Sequence, residues 1–158
     1  MMQDSRTFRQ TLSQFATGVT VITAKSPSGK PIGMTANSFS SLSLDPPLVL
    51  WSIARSSGLY TEFVEAKHYA IHVLKEGQQQ VSHQFSRRNI DRFEGVPYQF
   101  DNRGVPLLND CLARFSCEAF SHMDGGDHTI IVGRVIDMSK AQGSPLIFHG
   151  GSYGALAS

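Results

Sequence analysis

The chain has 158 residues, a formal net charge of +1, 17% charged residues and two cysteines. That length suits one domain with a real core and leaves no room for a separate nucleotide domain, so two substrates would have to share one pocket. The near-neutral balance gives no electrostatic footprint for nucleic acid or an anionic membrane, and no apolar run approaches the roughly 20 residues of a membrane span.

Met1 to Arg6 contain no apolar core of a secretory signal, which makes the cytoplasm the expected compartment. Phe8, Leu12 and Phe15 then recur at helical spacing behind Asp4 and Ser5. This predicts an amphipathic helix capped by one of those two residues and ended by Gly18 in a left-handed conformation. Residues 19–24 have strand composition, residues 26–30 supply a turn, and residues 31–35 complete a predicted hairpin.

Pro46 and Pro47 cannot donate to a ladder, so the Asp45-Pro46-Pro47 step reads as an interruption in a hydroxyl-rich strand that resumes over 48–53. A helix follows near Gly58, then a strand over 69–74 and a Gln-rich helix over 78–85. Residues 87–109 mix Arg, Gly and Pro with short apolar pieces and predict a long excursion over one face. Residues 112–120, 129–138 and 146–148 are further strands. Seven or so strands with few helices and no repeat indicate a small antiparallel barrel.

Cys111 and Cys117 stand six apart, and Cys117 falls within a predicted strand. Both read as ordinary reduced thiols. His122, Asp124, Asp127 and His128 cluster in sequence without metal-ligand spacing, and His68 and His72 on a strand are separated by roughly 13 Å, too far for one ion.

The most informative stretch runs from Gly33 to Trp51, where small hydroxyl and amide residues crowd together with no charge until Asp45. Thr35, Asn37, Ser38 and Ser41 offer neutral donors and acceptors, while Gly33 and Ala36 let backbone approach closely. A flat ligand rich in carbonyl and ring-nitrogen groups matches that set. The order Gly-Met-Thr-Ala-Asn-Ser, followed by Ser-Leu-Ser-Leu-Asp-Pro-Pro-Leu-Val-Leu, resembles the flavin reductase-like family of FMN-binding split barrels. Gly126-Asp127-His128, ahead of the strand that starts at Thr129, strengthens the resemblance.

The resemblance implies a mainly β, Greek-key split barrel, a homodimer with flavin near the subunit interface, and FMN or FAD as the flavin. It also implies NADH, or NADPH, as hydride donor and a separate monooxygenase as the recipient of reduced flavin. Thr35, Ala36, Asn37 and Ser38 would then line the ring. Ser52, Ile53, Ala54, Ser56 and Ser57 would meet the ribityl or phosphate end, with Ser57 equally well placed to cap the following helix.

Phe85, Ser86 and Arg88 occupy positions where relatives contact the phosphate or adenylate tail, although Arg87, Arg88 and Arg92 also fit a solvated face. His128 corresponds to the family's histidine on the nicotinamide side, as a positioning residue. Tyr153 either stacks on a ring or packs on the barrel, and Gly150, Gly151 and Ser152 before it replace a basic residue seen in many relatives. Three alternatives stand beside this reading: a flavoprotein retaining FMN for another acceptor, a non-catalytic flavin-binding barrel, and a barrel of the pyridoxamine-phosphate oxidase type.

Overall fold

The computed structural model describes residues 4–157. Helix α1 (Ser5–Leu12) is capped by Asp4, whose carboxylate accepts the Arg6 N–H. It ends at Ser13 in a right-handed conformation, not at Gly18. Gly18 instead belongs to β1 (Thr17–Gly18), drawn into extended form by pairing with Phe148 and Ile147. The apolar stripe of α1 meets none of the core: Phe8, Leu12 and Phe15 are 57%, 56% and 78% exposed.

Strands β2 (Thr20–Lys25) and β3 (Pro31–Ala36) form the predicted hairpin, with Gly29 at φ +87° supplying the left-handed residue of its turn. Strands β4 (Ser40–Ser43) and β5 (Leu48–Ala54) pair antiparallel. The Asp45-Pro46-Pro47 step is therefore a reversal between two strands, not an interruption within one, and its prolines sit where no ladder donor is needed.

Short helix α2 (Tyr60–Glu65), strand β6 (His68–Val73) and helix α3 (Gln79–Gln84) follow. The predicted excursion contains a small two-stranded ribbon, β7 (Tyr98–Phe100) and β8 (Pro106–Leu108). Long strands β9 (Ala113–Gly125) and β10 (His128–Lys140) lead to β11 (Ile147–His149) and β12 (Ser152–Gly154). The last strand is an addition to the sequence reading, made possible by Gly150 and Gly151 at φ +61° and +79°.

The main sheet has seven strands in the order β3-β2-β6-β9-β10-β5-β4, and all its pairings are antiparallel. Its two edges, β3 and β4, are joined only by residues 37–39. Those few residues reach no further than about 14 Å, so the sheet must curl until its edges meet. β3 and β4 share no ladder, which leaves the barrel split along that seam.

Alternate residues of β2 face two different cores, as the period of a strand requires. Ile22 packs inside the barrel with Trp51, Ile53, Phe63, Tyr69 and Ile131. Val21 packs outside it with Leu74, Phe85, Phe93, Leu108 and Leu146, so the excursion is fastened to the barrel by a second apolar layer. Each fully buried side chain of this size stabilises the fold by roughly 1.5–3 kcal/mol. Cys111 and Cys117 are free, and burial pushes the Cys117 thiol up to about 12, as befits a core residue.

Candidate active site

The split seam is where the hydroxyl-rich segment does its structural work. At the corner, Ser38 Oγ donates to the Ser52 carbonyl at 3.2 Å and accepts the Ser52 N–H at 3.0 Å. One side chain thus satisfies both backbone groups of an outward-facing position on β5 and ties the connection between the two edges to that strand. Thr35 closes the other side: its hydroxyl donates to the Ser82 carbonyl at 2.6 Å and its N–H to the Phe85 carbonyl at 3.2 Å. β3 is thereby fixed to α3 and to the start of the excursion.

Below the corner, between β3 and the end of β5, lies a cleft of about 1190 Å³. One wall is β3 with Ile32, Met34 and Thr35, the second is the stretch from Ala54 to Leu59, and the third is the excursion with Phe85, Ser86 and Arg88. Gly33 is required here because a β-carbon would lie 2.7 Å from the Phe85 ring. Phe85 itself is fully buried and meets Phe93 edge-on at 5.0 Å.

Lys30, Arg88 and Arg92 bring positive charge to the cleft against the single carboxylate of Asp91. Arg92 is committed structurally, donating from Nη1 to the Gly33 carbonyl and from Nε to the Arg87 carbonyl, each at 2.8 Å. Burial first, and then the like charge of Arg88, pushes its guanidinium below the ordinary value. Two like charges held together in this way favour an anion between them. Lys30 and Arg92 were not singled out from sequence as cleft residues. Only the pairing of β3 with β2 and the folding-back of the excursion bring them there.

On the β5–β10 side, Ala54 and Ser52 face away from the core together with their register partners His128 and Ile130, while Ile53 and Thr129 are buried between them. His128 sits 43% exposed beside Ala54, which also lines the cleft. Its Nδ1 donates to Asp127 Oδ1 at 2.7 Å, since a carboxylate can only accept. That bond, and then the charge of the ring, holds the Asp127 carboxyl below its usual value. In the neutral ring that bond leaves Nε2 as the acceptor.

The predicted site residues divide accordingly. Thr35, Ala54, Ser56, Ser57, Phe85, Ser86 and Arg88 line the cleft. Asn37 is exposed at the corner, and Ser38 and Ser52 form the clamp above it. Ala36 and Ile53 are buried in the barrel core, because strand alternation turns their side chains inward, so they serve the site only through backbone. Ser41 is exposed on β4, opposite Val49 and away from the cleft walls.

Tyr153 packs on the barrel, donating to or accepting from Ser82 Oγ at 2.7 Å and standing edge-on to His83 and Phe148. Ser57 Oγ accepts the Leu59 N–H at 3.2 Å in the turn ahead of the six-residue α2, whose N-cap is Leu59 and carries no side-chain cap bond, so Ser57 does not cap the helix. Among the described residues no group of three His, Cys, Asp or Glu side chains assembles to hold a metal ion.

A family model described as the flavin reductase like domain matches residues 12–157. The chain is 51% identical over 152 residues to the FMN reductase (NADH) SmoA of Agrobacterium fabrum, covering 96% of this chain and 86% of that protein. It is 40% identical to the reductase component of the flavin-dependent trigonelline monooxygenase of Acinetobacter baylyi, covering 94% of this chain but only 48% of that longer protein. Among solved structures, the NADH:FAD oxidoreductase SgcE6 of Streptomyces globisporus, in complex with NAD and FAD fragments, superposes with a TM-score of 0.92 at 33% identity. That match covers 99% of this chain and 97% of the other.

Proposed function

The chain belongs to the flavin reductase like family, and on that footing we propose that it reduces FMN or FAD with NADH and passes reduced flavin to a separate monooxygenase. The observation that carries this reading is the seam itself. Neutral hydrogen-bonding residues gather at its corner, and Lys30, Arg88 and Arg92 gather in the cleft below. That donor set fits an uncharged planar ring system bearing a phosphate or diphosphate tail.

When bound, the flavin supplies a two-electron acceptor for the hydride of NADH. The residues of this chain supply placement. The Asn37 amide, exposed at the corner, would meet the polar edge of the ring, with the Ser38–Ser52 clamp keeping that corner in register. Ser56 and Ser57 hydroxyls and the Arg88 guanidinium would hold the phosphate end. His128, with its Nδ1 held by Asp127, would accept the nicotinamide carboxamide N–H at Nε2 and so hold NADH in place. None of these groups needs to take up a proton for the hydride to move.

A homodimer is part of the same reading. Leu42, Leu44, Phe120 and Met138 are exposed alongside the apolar stripe of α1, a distribution suited to coverage by a second copy. Sizing in solution tests it, and a fully active monomer would refute it. The function is tested by following NADH oxidation at 340 nm with FMN, FAD or no flavin, alongside the visible spectrum of the purified protein. Turnover that saturates with added flavin in a colourless preparation is the expected result. A yellow protein inert towards NADH would instead indicate a carrier or a different acceptor.

A further inference from the structure

The turn between β9 and β10 carries His128 but has little of its own to hold it in place. Residues 121–127 are all exposed, and the turn is built on Gly125 and Gly126, the latter at φ +73°. Such a tip has few buried contacts and a low cost of local opening. One residue outside the hairpin grips it. Arg55, the first residue after β5, donates its backbone N–H to the Asp127 carbonyl at 2.9 Å and its Nε to the Gly126 carbonyl at 3.2 Å. Its Nη2 pairs with the Asp124 carboxylate. Asp124, Gly126 and Asp127 are therefore tied to the end of the strand that borders the cleft.

This arrangement removes Arg55 from the role its sequence position suggests. A cation beside Ser56 and Ser57 reads as a phosphate ligand, yet its charge is already neutralised by Asp124 and its Nε is occupied by Gly126. Arg55 is also absent from the cleft walls, although Ala54 and Ser56 on either side of it are present.

We propose that Arg55 is a positioning residue for NADH binding, which sets the reach of His128 by clamping the Asp124–Asp127 turn to the end of β5. This rests on the flavin reductase reading above. The side chain of Asp124 is 92% exposed and that of Arg55 44%, so the ion pair adds little to global stability. Its effect is local: it narrows the positions available to Asp127, and through the Asp127 carboxylate it narrows those of the His128 ring.

The test compares wild type, Arg55→Ala, Arg55→Lys, His128→Ala and the Arg55→Ala/His128→Ala double variant. Steady-state kinetics, FMN dissociation constants and amide hydrogen exchange over residues 121–128 are measured for each. Arg55→Ala is expected to raise the KM for NADH about 3- to 5-fold with kcat and FMN binding unchanged, because it loosens a binding contact without altering the reacting groups. Arg55→Lys, which keeps the ion pair and loses the guanidinium fork, should fall between the two. Exchange at the turn should quicken in Arg55→Ala while the barrel strands stay protected.

In the His128→Ala background, removing Arg55 should add no further change in KM, since the clamp then has nothing to position. Additive losses in the double variant, or a weakened FMN affinity in Arg55→Ala, would overturn the proposal in favour of a direct ligand contact or a general structural role. Unaltered exchange at the turn would overturn it without touching the flavin reductase reading. A wild-type protein that does not oxidise NADH with any flavin would overturn both.

Discussion

Gly133 lies against Tyr69 so closely that a β-carbon on the glycine would overlap the Tyr69 hydroxyl and stand 2.9 Å from its ring carbon Cζ. The contact falls at an irregularity in the β9–β10 ladder, between Val132 and Gly133, and Tyr69 is buried beside Trp51. The Tyr69 hydroxyl and the Trp51 indole nitrogen have no hydrogen-bond partner among the described residues. Burial accordingly pushes the phenol far above its ordinary value.

Gly133→Ala should therefore destabilise the protein by about 1–3 kcal/mol through overpacking, visible as a lower urea midpoint at unchanged slope. Adding Tyr69→Phe should recover part of the loss. It removes the overlapping oxygen, and deleting a hydroxyl without a partner costs little. A double variant no more stable than Gly133→Ala alone would show that the ring, not the hydroxyl, sets the limit.

His72 makes stability depend on acid. It is fully buried on β6, its Nδ1 donating to the Val21 carbonyl at 3.0 Å and its Nε2 accepting the Leu108 N–H at 3.1 Å. The Leu108 bond requires an unprotonated Nε2, and burial lowers the ring's pKa from 6.5 to about 4. Above pH 6.5 neither the folded nor the unfolded chain holds the proton. Between there and about 4 the unfolded chain binds a proton that the folded one refuses, so stability falls with pH across that window, by an amount on the order of 3 kcal/mol. Urea unfolding at stepped pH should show this slope. His72→Phe should be less stable at neutral pH, with Val21 and Leu108 left without partners, yet flatter over the same range.

His128→Ala is expected to raise the KM for NADH while oxidised FMN binds as before, because the ring is proposed to hold the nicotinamide and is absent from the cleft walls. Stopped-flow reduction and a fluorescence titration of FMN separate the two quantities. Unchanged kinetics at every NADH concentration would remove His128 from the mechanism.

Arg88→Ala should weaken FMN binding roughly 5- to 10-fold while leaving riboflavin binding unaffected, as the loss of one charge-assisted phosphate contact predicts. Arg88 is exposed and lines the cleft, whereas Arg92 braces Gly33 and Arg87. The corresponding Arg92→Ala should impair both ligands, by loosening the excursion from β3. Equal losses for riboflavin and FMN in Arg88→Ala would place the phosphate elsewhere.

Much of this protein is readable along the chain where neighbours in sequence decide the outcome. The β2–β3 hairpin follows from strand composition around a Gly29 turn, and the Asp4 cap from a short acidic side chain ahead of a helical run. The hydroxyl-rich segment reads as one ligand-facing stretch, but its residues and those of the strand that follows divide their labour in a way spacing cannot show. Ser38 fastens Ser52, Thr35 fastens Ser82 and Phe85, and Ile53 is core.

Gly18 shows the limit of local rules. A glycine after a helical stretch reads as a terminator, yet here pairing with β11, from the far end of the chain, holds it extended. The same holds for Lys30, Arg92 and Arg55, whose surroundings come from distant parts of the chain. Composition, alternation and turn chemistry determine the elements, because each depends on a few adjacent residues. The split seam, the cleft cations and the Arg55 clamp are decided only when the sheet curls and distant carbonyls and carboxylates come within hydrogen-bonding reach.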